Sequence, residues 1–163
     1  MPFLRAGIEV RFRLNVMQKE VCILIAEDDD GHASLIERNL RRAGVHNRIE
    51  RFVDGQQVLD YLHQQEAKAS DAERTKDEAF LLLLDINMPK RDGIDVLTEV
   101  KMSPVLRKIP VIMITTTDDP REVDKCHQLG CNSYVTKPVE YEGFVNAIRQ
   151  LGLFLMVVEV PKV

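Results

Sequence analysis

A chain of 163 residues, 45% hydrophobic and 29% charged, has enough apolar material for one sizeable core and little more. The net charge of −4 gives no electrostatic ground for nucleic acid or an anionic membrane as main partner, and no apolar run approaches the roughly 18 residues of a membrane span. Cys22, Cys126 and Cys131 are odd in number and lack metal-ligand spacing, so they read as reduced packing thiols of a cytoplasmic protein.

Residues 8–16 alternate apolar and polar, the period of a half-buried strand. Arg11 and Arg13 interrupt any signal-peptide core. With Met17 directly following, this stretch is either an upstream extension without function or an arm that pairs with a sheet edge. From Val21 the pattern becomes strand alternating with helix. Residues 21–26 form a buried apolar run that ends on Glu27-Asp28-Asp29-Asp30, and Ser34, Leu35, Ile36 and Leu40 follow at helical spacing up to Gly44. Asp29 and Asp30 read as capping and solvated residues of this first helix.

Residues 47–53 form a weaker, more charged strand, as suits a sheet edge. Asp54-Gly55 turns the chain, and Val58, Leu59 and Leu62 mark a second helix. Residues 66–78 are polar and read as a solvated loop or a frayed helical extension. Leu81 to Leu84 is a short, wholly apolar run that stops on Asp85 and is followed by Ile86-Asn87-Met88-Pro89, the signature of a buried parallel strand. Asp92-Gly93 turns into a third helix carrying Ile94, Val96, Leu97 and Val100, bounded by Pro104. Residues 110–114 form another buried run, ending on Thr115-Thr116-Thr117. Asp119-Pro120 opens a fourth helix that Gly130 closes. Residues 132–136 run into Lys137-Pro138, and a fifth helix starts near Glu140 and carries Phe144, Ala147, Ile148 and Leu151.

Five strand–helix units predict an α/β fold, a doubly wound parallel five-stranded sheet with helices on both faces. The weak second strand at an edge favours the flavodoxin-like order 2-1-3-4-5, and there are too few units for an eight-stranded barrel. The implied organisation is an N-terminal extension over 1–17, one domain over 18–151 and an apolar C-terminal arm over 152–163.

Four of the five strands end on a side chain capable of chemistry: Glu27 and Asp28, Asp85, Thr115, and Lys137. In a parallel sheet those ends converge on one rim. Three carboxylates against one ammonium leave about two uncompensated negative charges. A hard divalent cation resolves the conflict, and Mg2+ suits carboxylates, a backbone carbonyl, waters and a phosphate oxygen. One carboxylate can then act as nucleophile toward a phosphoryl group, with lysine and hydroxyl holding the oxygens of the acyl phosphate.

On these residues the chain resembles a response-regulator receiver domain, CheY-like, over about 21–151. The resemblance implies that Asp85 is the phosphoacceptor, that Glu27 and Asp28 are the acidic pair holding Mg2+, and that Asn87 supplies a backbone carbonyl to the metal. It also implies that Thr115 is the switch hydroxyl, Lys137 the lysine before a cis proline (Pro138), and Tyr134 the aromatic switch. Thr115 would turn toward the phosphoryl group while Tyr134 moves inward, remodelling the surface of the fourth helix, fifth strand and fifth helix. Thr116 departs from the Ala or Gly common at its position, which predicts altered phosphotransfer or dephosphorylation rates.

A nucleophilic Asp after a parallel strand also occurs in phosphatases of the haloacid-dehalogenase type. Those need a second Asp two positions later, where this chain has Asn87. A receiver fold kept purely as an interaction module would not need the complete set of site residues. Beyond 151 too little chain remains for a DNA-binding unit, so output is expected through protein contacts or onward phosphotransfer. The apolar arm and the long polar segment before the third strand resemble stand-alone regulators of bacterial phytochrome kinases. That implies a sensor histidine kinase as partner; the arm either packs on its own domain or crosses to a partner in a homodimer, formed through the arm or through the face of the fourth helix, fifth strand and fifth helix.

Overall fold

A computed structural model describes residues 21–69, 79–137, 140–143 and 146. In chain order the elements are β1 (Val21–Ala26), α1 (Asp30–Arg42), β2 (Ile49–Phe52), α2 (Gly55–Ala69), β3 (Ala79–Leu84), α3 (Gly93–Met102), a short 3-10 turn (Leu106–Lys108), β4 (Val111–Thr115), α4 (Pro120–Leu129) and β5 (Ser133–Thr136). The five strands are parallel in the order β2-β1-β3-β4-β5, the flavodoxin-like arrangement expected from the weak, charged second strand. Residues 141–143 and 146 are helical, at the place of the fifth helix, and the rest of that helix lies outside the described residues. So do the N-terminal extension, the apolar arm and Pro138.

Side-chain alternation along the strands divides the core in two. Leu24, Leu82, Leu84 and Met113 point to one face, where Val58, Leu59 and Leu62 of α2, Val96, Leu97 and Val100 of α3 and Cys126 of α4 cover them. Ile23, Ile25, Leu81, Leu83, Ile112 and Ile114 point to the other, under Ile36 and Leu40 of α1. A strand buried on both faces must be apolar at every position, which is why 81–84 is an unbroken leucine run. All three cysteines are buried and none forms a disulfide among the described residues, as packing thiols should be.

The helix boundaries follow local chemistry. Asp29, Asp92 and Asp119 cap α1, α3 and α4, accepting from the amides of His32, Asp95 and Arg121. Asp30 is exposed, as read from the sequence. Gly130 ends α4 in the left-handed region at φ 103°. Gly93 is required for a different reason: a Cβ there would collide with the backbone of Asp85, so the start of α3 can lie against the end of β3 only if this residue has no side chain. One boundary differs from the sequence expectation. β2 is shorter than 47–53 because Asn47 is used as a buried linker, its side chain donating to the Val21 carbonyl at 2.8 Å. α2 runs to Ala69, so the start of the polar stretch 66–78 is the helical extension that the sequence allowed.

Candidate functional site

Register alone brings the chemistry together. Ala26 of β1 pairs with Leu84 of β3, so the next residues, Glu27 and Asp85, emerge side by side, and the Asp85 amide donates to the Ala26 carbonyl at 3.0 Å. Thr115 pairs with Thr136 at the β4–β5 edge, and the Lys137 amide donates back to the Thr115 carbonyl at 2.7 Å. Lys137 then reaches across the rim. Its Nζ lies 2.8 and 3.0 Å from the two Glu27 carboxylate oxygens and 3.5 Å from Oδ2 of Asp85.

These groups are well shielded, with side-chain exposure of 5% for Lys137, 2% for Glu27 and 5% for Asp85. Asp28 is exposed, and carboxylate oxygens of Glu27, Asp28 and Asp85 all lie within 4.8 Å of one another. Among the described residues this is the one grouping of acids, cysteines and histidines close enough to hold a metal ion. Burial first, and the neighbouring Glu27 charge second, push the Asp85 carboxyl up to about 6, against the opposing pull of Lys137. The Asn87 amide offers a long 3.4 Å contact to Asp85 Oδ1.

Thr115 is fully buried at the adjoining strand end, and its hydroxyl takes a marginal 3.5 Å contact from the Thr117 amide rather than from the acids. Tyr134 is half-buried, packs against the core, and donates its hydroxyl to the Thr117 carbonyl at 2.9 Å. The ring is therefore already turned inward, with burial holding its phenol above the ordinary pKa. Thr116 is exposed.

Two residues at the rim went unnoticed in the sequence. Arg51 of β2 donates through Nε and Nη2 to the Glu27 carbonyl at 3.3 and 3.1 Å, and through Nη1 to Asp30 at 2.6 Å, which clamps the loop carrying the acidic pair. The signal was present in pattern only: Arg51 lies opposite Ile25, near the carboxyl end of an edge strand. His32, in the first turn of α1, brings Nδ1 to 3.2 Å from Glu27 Oε1 and 3.0 Å from Lys137 Nζ. One helical turn past the Asp29 cap is the place from which a side chain can fold back over a strand end, and that spacing was the available clue.

A doubly wound parallel sheet whose strand ends gather two buried acids, an exposed acid and a buried lysine defines a receiver-type α/β domain. Residues 23–149 match the response regulator receiver domain family, and the chain belongs to it. It is similar to a response regulator receiver domain from Rhodospirillum rubrum of known crystal structure, at 51% identity, 83% coverage of this chain, 94% of the other and a TM-score of 0.67. A bacteriophytochrome response regulator, RtBRR, is 40% identical, with 80% and 77% of the two chains covered and a TM-score of 0.67. Response regulator Rcp1 of Synechocystis is 33% identical over 132 residues, 81% of this chain and 86% of the relative. A crystal structure of Rcp1 in a Mn2+-bound form superimposes at a TM-score of 0.63, with 28% identity over 83% of this chain and 94% of the other. No helix of the described residues is long and apolar enough to cross a membrane.

Proposed function

We propose that this response regulator accepts a phosphoryl group on Asp85 from the phosphohistidine of a sensor kinase, with Mg2+ at the rim, and signals by a changed protein-binding surface. The observation that carries the reading is the position of Asp85, a buried carboxylate held beside a second buried acid with one ammonium between them. Nothing in folding demands such a pair, and burial disfavours the ionised form of Asp85.

The donor set consists of hard oxygens with surplus negative charge, which fits Mg2+ and does not fit a softer ion. Asp28, Asp85, the Asn87 backbone carbonyl and Glu27 would hold it, Glu27 contributing while also gripping Lys137. Mg2+ bound there offsets the acid surplus and draws charge from the phosphoryl oxygens. That the similar regulator Rcp1 has a Mn2+-bound form supports a divalent ion as a ligand of this chain.

In the transfer step an Asp85 oxygen forms a bond to phosphorus as the P–N bond of the donor histidine breaks, and the departing imidazole keeps the electron pair and takes up a proton. Lys137, already 3.5 Å from Asp85, donates to an oxygen of the transferred group. Thr115 supplies the switch hydroxyl from the neighbouring strand end. Tyr134, with its hydroxyl on the Thr117 carbonyl, links that loop to the surface of α4 and β5. The step leaves a regulator carrying one acyl phosphate, and the catalysis is confined to its own phosphorylation and dephosphorylation.

The likeness to RtBRR supports a bacteriophytochrome as the kinase. A homodimer through the 152–163 arm or the α4–β5 face completes the reading. Intact-mass measurement after incubation with acetyl phosphate and Mg2+ tests it. One added phosphoryl group is expected in the wild type and none in Asp85→Asn. Hydrolysis of many equivalents would instead indicate a phosphatase, and an unlabelled wild type would leave a receiver fold used for interaction alone.

A further inference from the structure

We propose that His32 is a positioning residue for Lys137: its imidazole takes one of the three ammonium N–H bonds and so fixes the direction in which the lysine presents the others. The inference rests on the phosphoacceptor reading of Asp85. It starts from the donor inventory of Lys137. An ammonium has three N–H donors and no acceptor, and this one has three partners within reach: the Glu27 carboxylate at 2.8 and 3.0 Å, Asp85 at 3.5 Å, and His32 Nδ1 at 3.0 Å.

For Lys137 to donate at that distance, Nδ1 must offer its lone pair, which is the tautomer with the proton on Nε2. The other tautomer would instead donate from Nδ1 to Glu27 Oε1 at 3.2 Å and leave Lys137 without this partner. Glu27 and Asp85 hang from adjacent strands and pull Lys137 within the rim. His32 is anchored on α1, whose N-terminus is fixed by the Asp29 cap on the His32 amide at 2.9 Å. The imidazole is 46% exposed and the lysine side chain only 5%, so the contact joins a surface ring to a buried ammonium. Without it, one N–H of Lys137 loses its partner and the head group gains a direction of movement away from Asp85.

The role is orientation, so it shows in the rate at which bound phosphodonor reacts and not in how tightly the cation binds. His32→Leu is expected to lower the maximal rate of labelling by acetyl phosphate about 3- to 10-fold, with the Mg2+ concentration for half-maximal rate unchanged. His32→Gln, whose amide oxygen also accepts, should recover at least half of that loss. Nitrogen-detected NMR of the 15N-labelled full chain in EDTA should show His32 with bare Nδ1 and protonated Nε2, and the Nδ1 resonance should move in Lys137→Met. A protonated Nδ1, a His32→Leu rate equal to wild type, or a Gln variant no faster than the Leu variant would overturn the proposal. A wild type that takes no phosphoryl group would refute the reading of Asp85 instead, and the tautomer would still decide whether His32 holds Lys137.

Discussion

Two clusters of acids and bases in this protein serve opposite ends. At the rim, Glu27, Asp85 and Lys137 are almost completely buried and the acids outnumber the ammonium. Between α2 and α3, Glu99 receives Arg91 Nη2 at 2.8 Å and His63 Nε2 at 2.7 Å, and Glu66 stands 3.4 Å from the other His63 nitrogen. There every group is a third or more exposed. The second cluster is what surface electrostatics ordinarily makes: opposite charges meeting in water, interchangeable and worth little. The first sets burial against the charge of Asp85, and a protein keeps such an arrangement where the chemistry needs it.

Substitutions should separate the two. The largest effect is expected from Lys137→Met, which leaves two buried acids without their cation; we expect a loss of about 2–4 kcal/mol of stability in chelator, partly restored by Mg2+, measured by urea unfolding. Asp85→Asn should do the reverse. Its folded carboxyl titrates at about 6, above the ordinary 3.8, so the folded state holds that proton more tightly than the unfolded chain. Stability from this group is therefore lost as pH rises from about 4 through 6. The Asn variant should be more stable than wild type by about 1–2 kcal/mol at pH 7.5 in EDTA, an advantage that shrinks below pH 5.

Arg51→Ala frees the carbonyl clamp on the acidic loop without touching a carboxylate of the pair, and should weaken Mg2+ binding about 3- to 10-fold by calorimetry. The smallest effect belongs to the surface cluster. Glu99 and Glu66 hold the His63 pKa above its ordinary value, so the contact stabilises below about pH 6.5 and fades as pH rises through the folded value. His63→Ala should change stability by less than about 0.5 kcal/mol at pH 6 and by less at pH 8. A cost there matching that of Lys137→Met would erase the contrast.

The rim was legible because a parallel sheet converts sequence position into spatial position: the residue at or just past the end of each strand arrives at one edge, so Glu27, Asp85, Thr115 and Lys137 could be grouped before any coordinates. The leucine run 81–84 and the charged β2 fixed the strand order on the same grounds. Contacts made by side chains reaching between elements carry no such periodic mark. Arg51 and His32 belong to a strand and a helix whose patterns are explained by burial alone, so their second task shows only once β2 and α1 stand beside the rim. α2 exceeded its apolar pattern because a helix already nucleated by Val58, Leu59 and Leu62 extends cheaply through residues of good helix propensity. The inward ring of Tyr134 was equally invisible, since a strand aromatic has the same sequence whichever way it turns.

The central contention is that the acid surplus at the strand ends exists to capture a divalent cation. Calorimetric titration of Mg2+ into the wild type, Asp28→Asn and Asp85→Asn at fixed ionic strength tests it most directly. One ion bound by the wild type, with affinity falling at least tenfold in each variant, is the expected result; equal binding by all three, or none by the wild type, would contradict it.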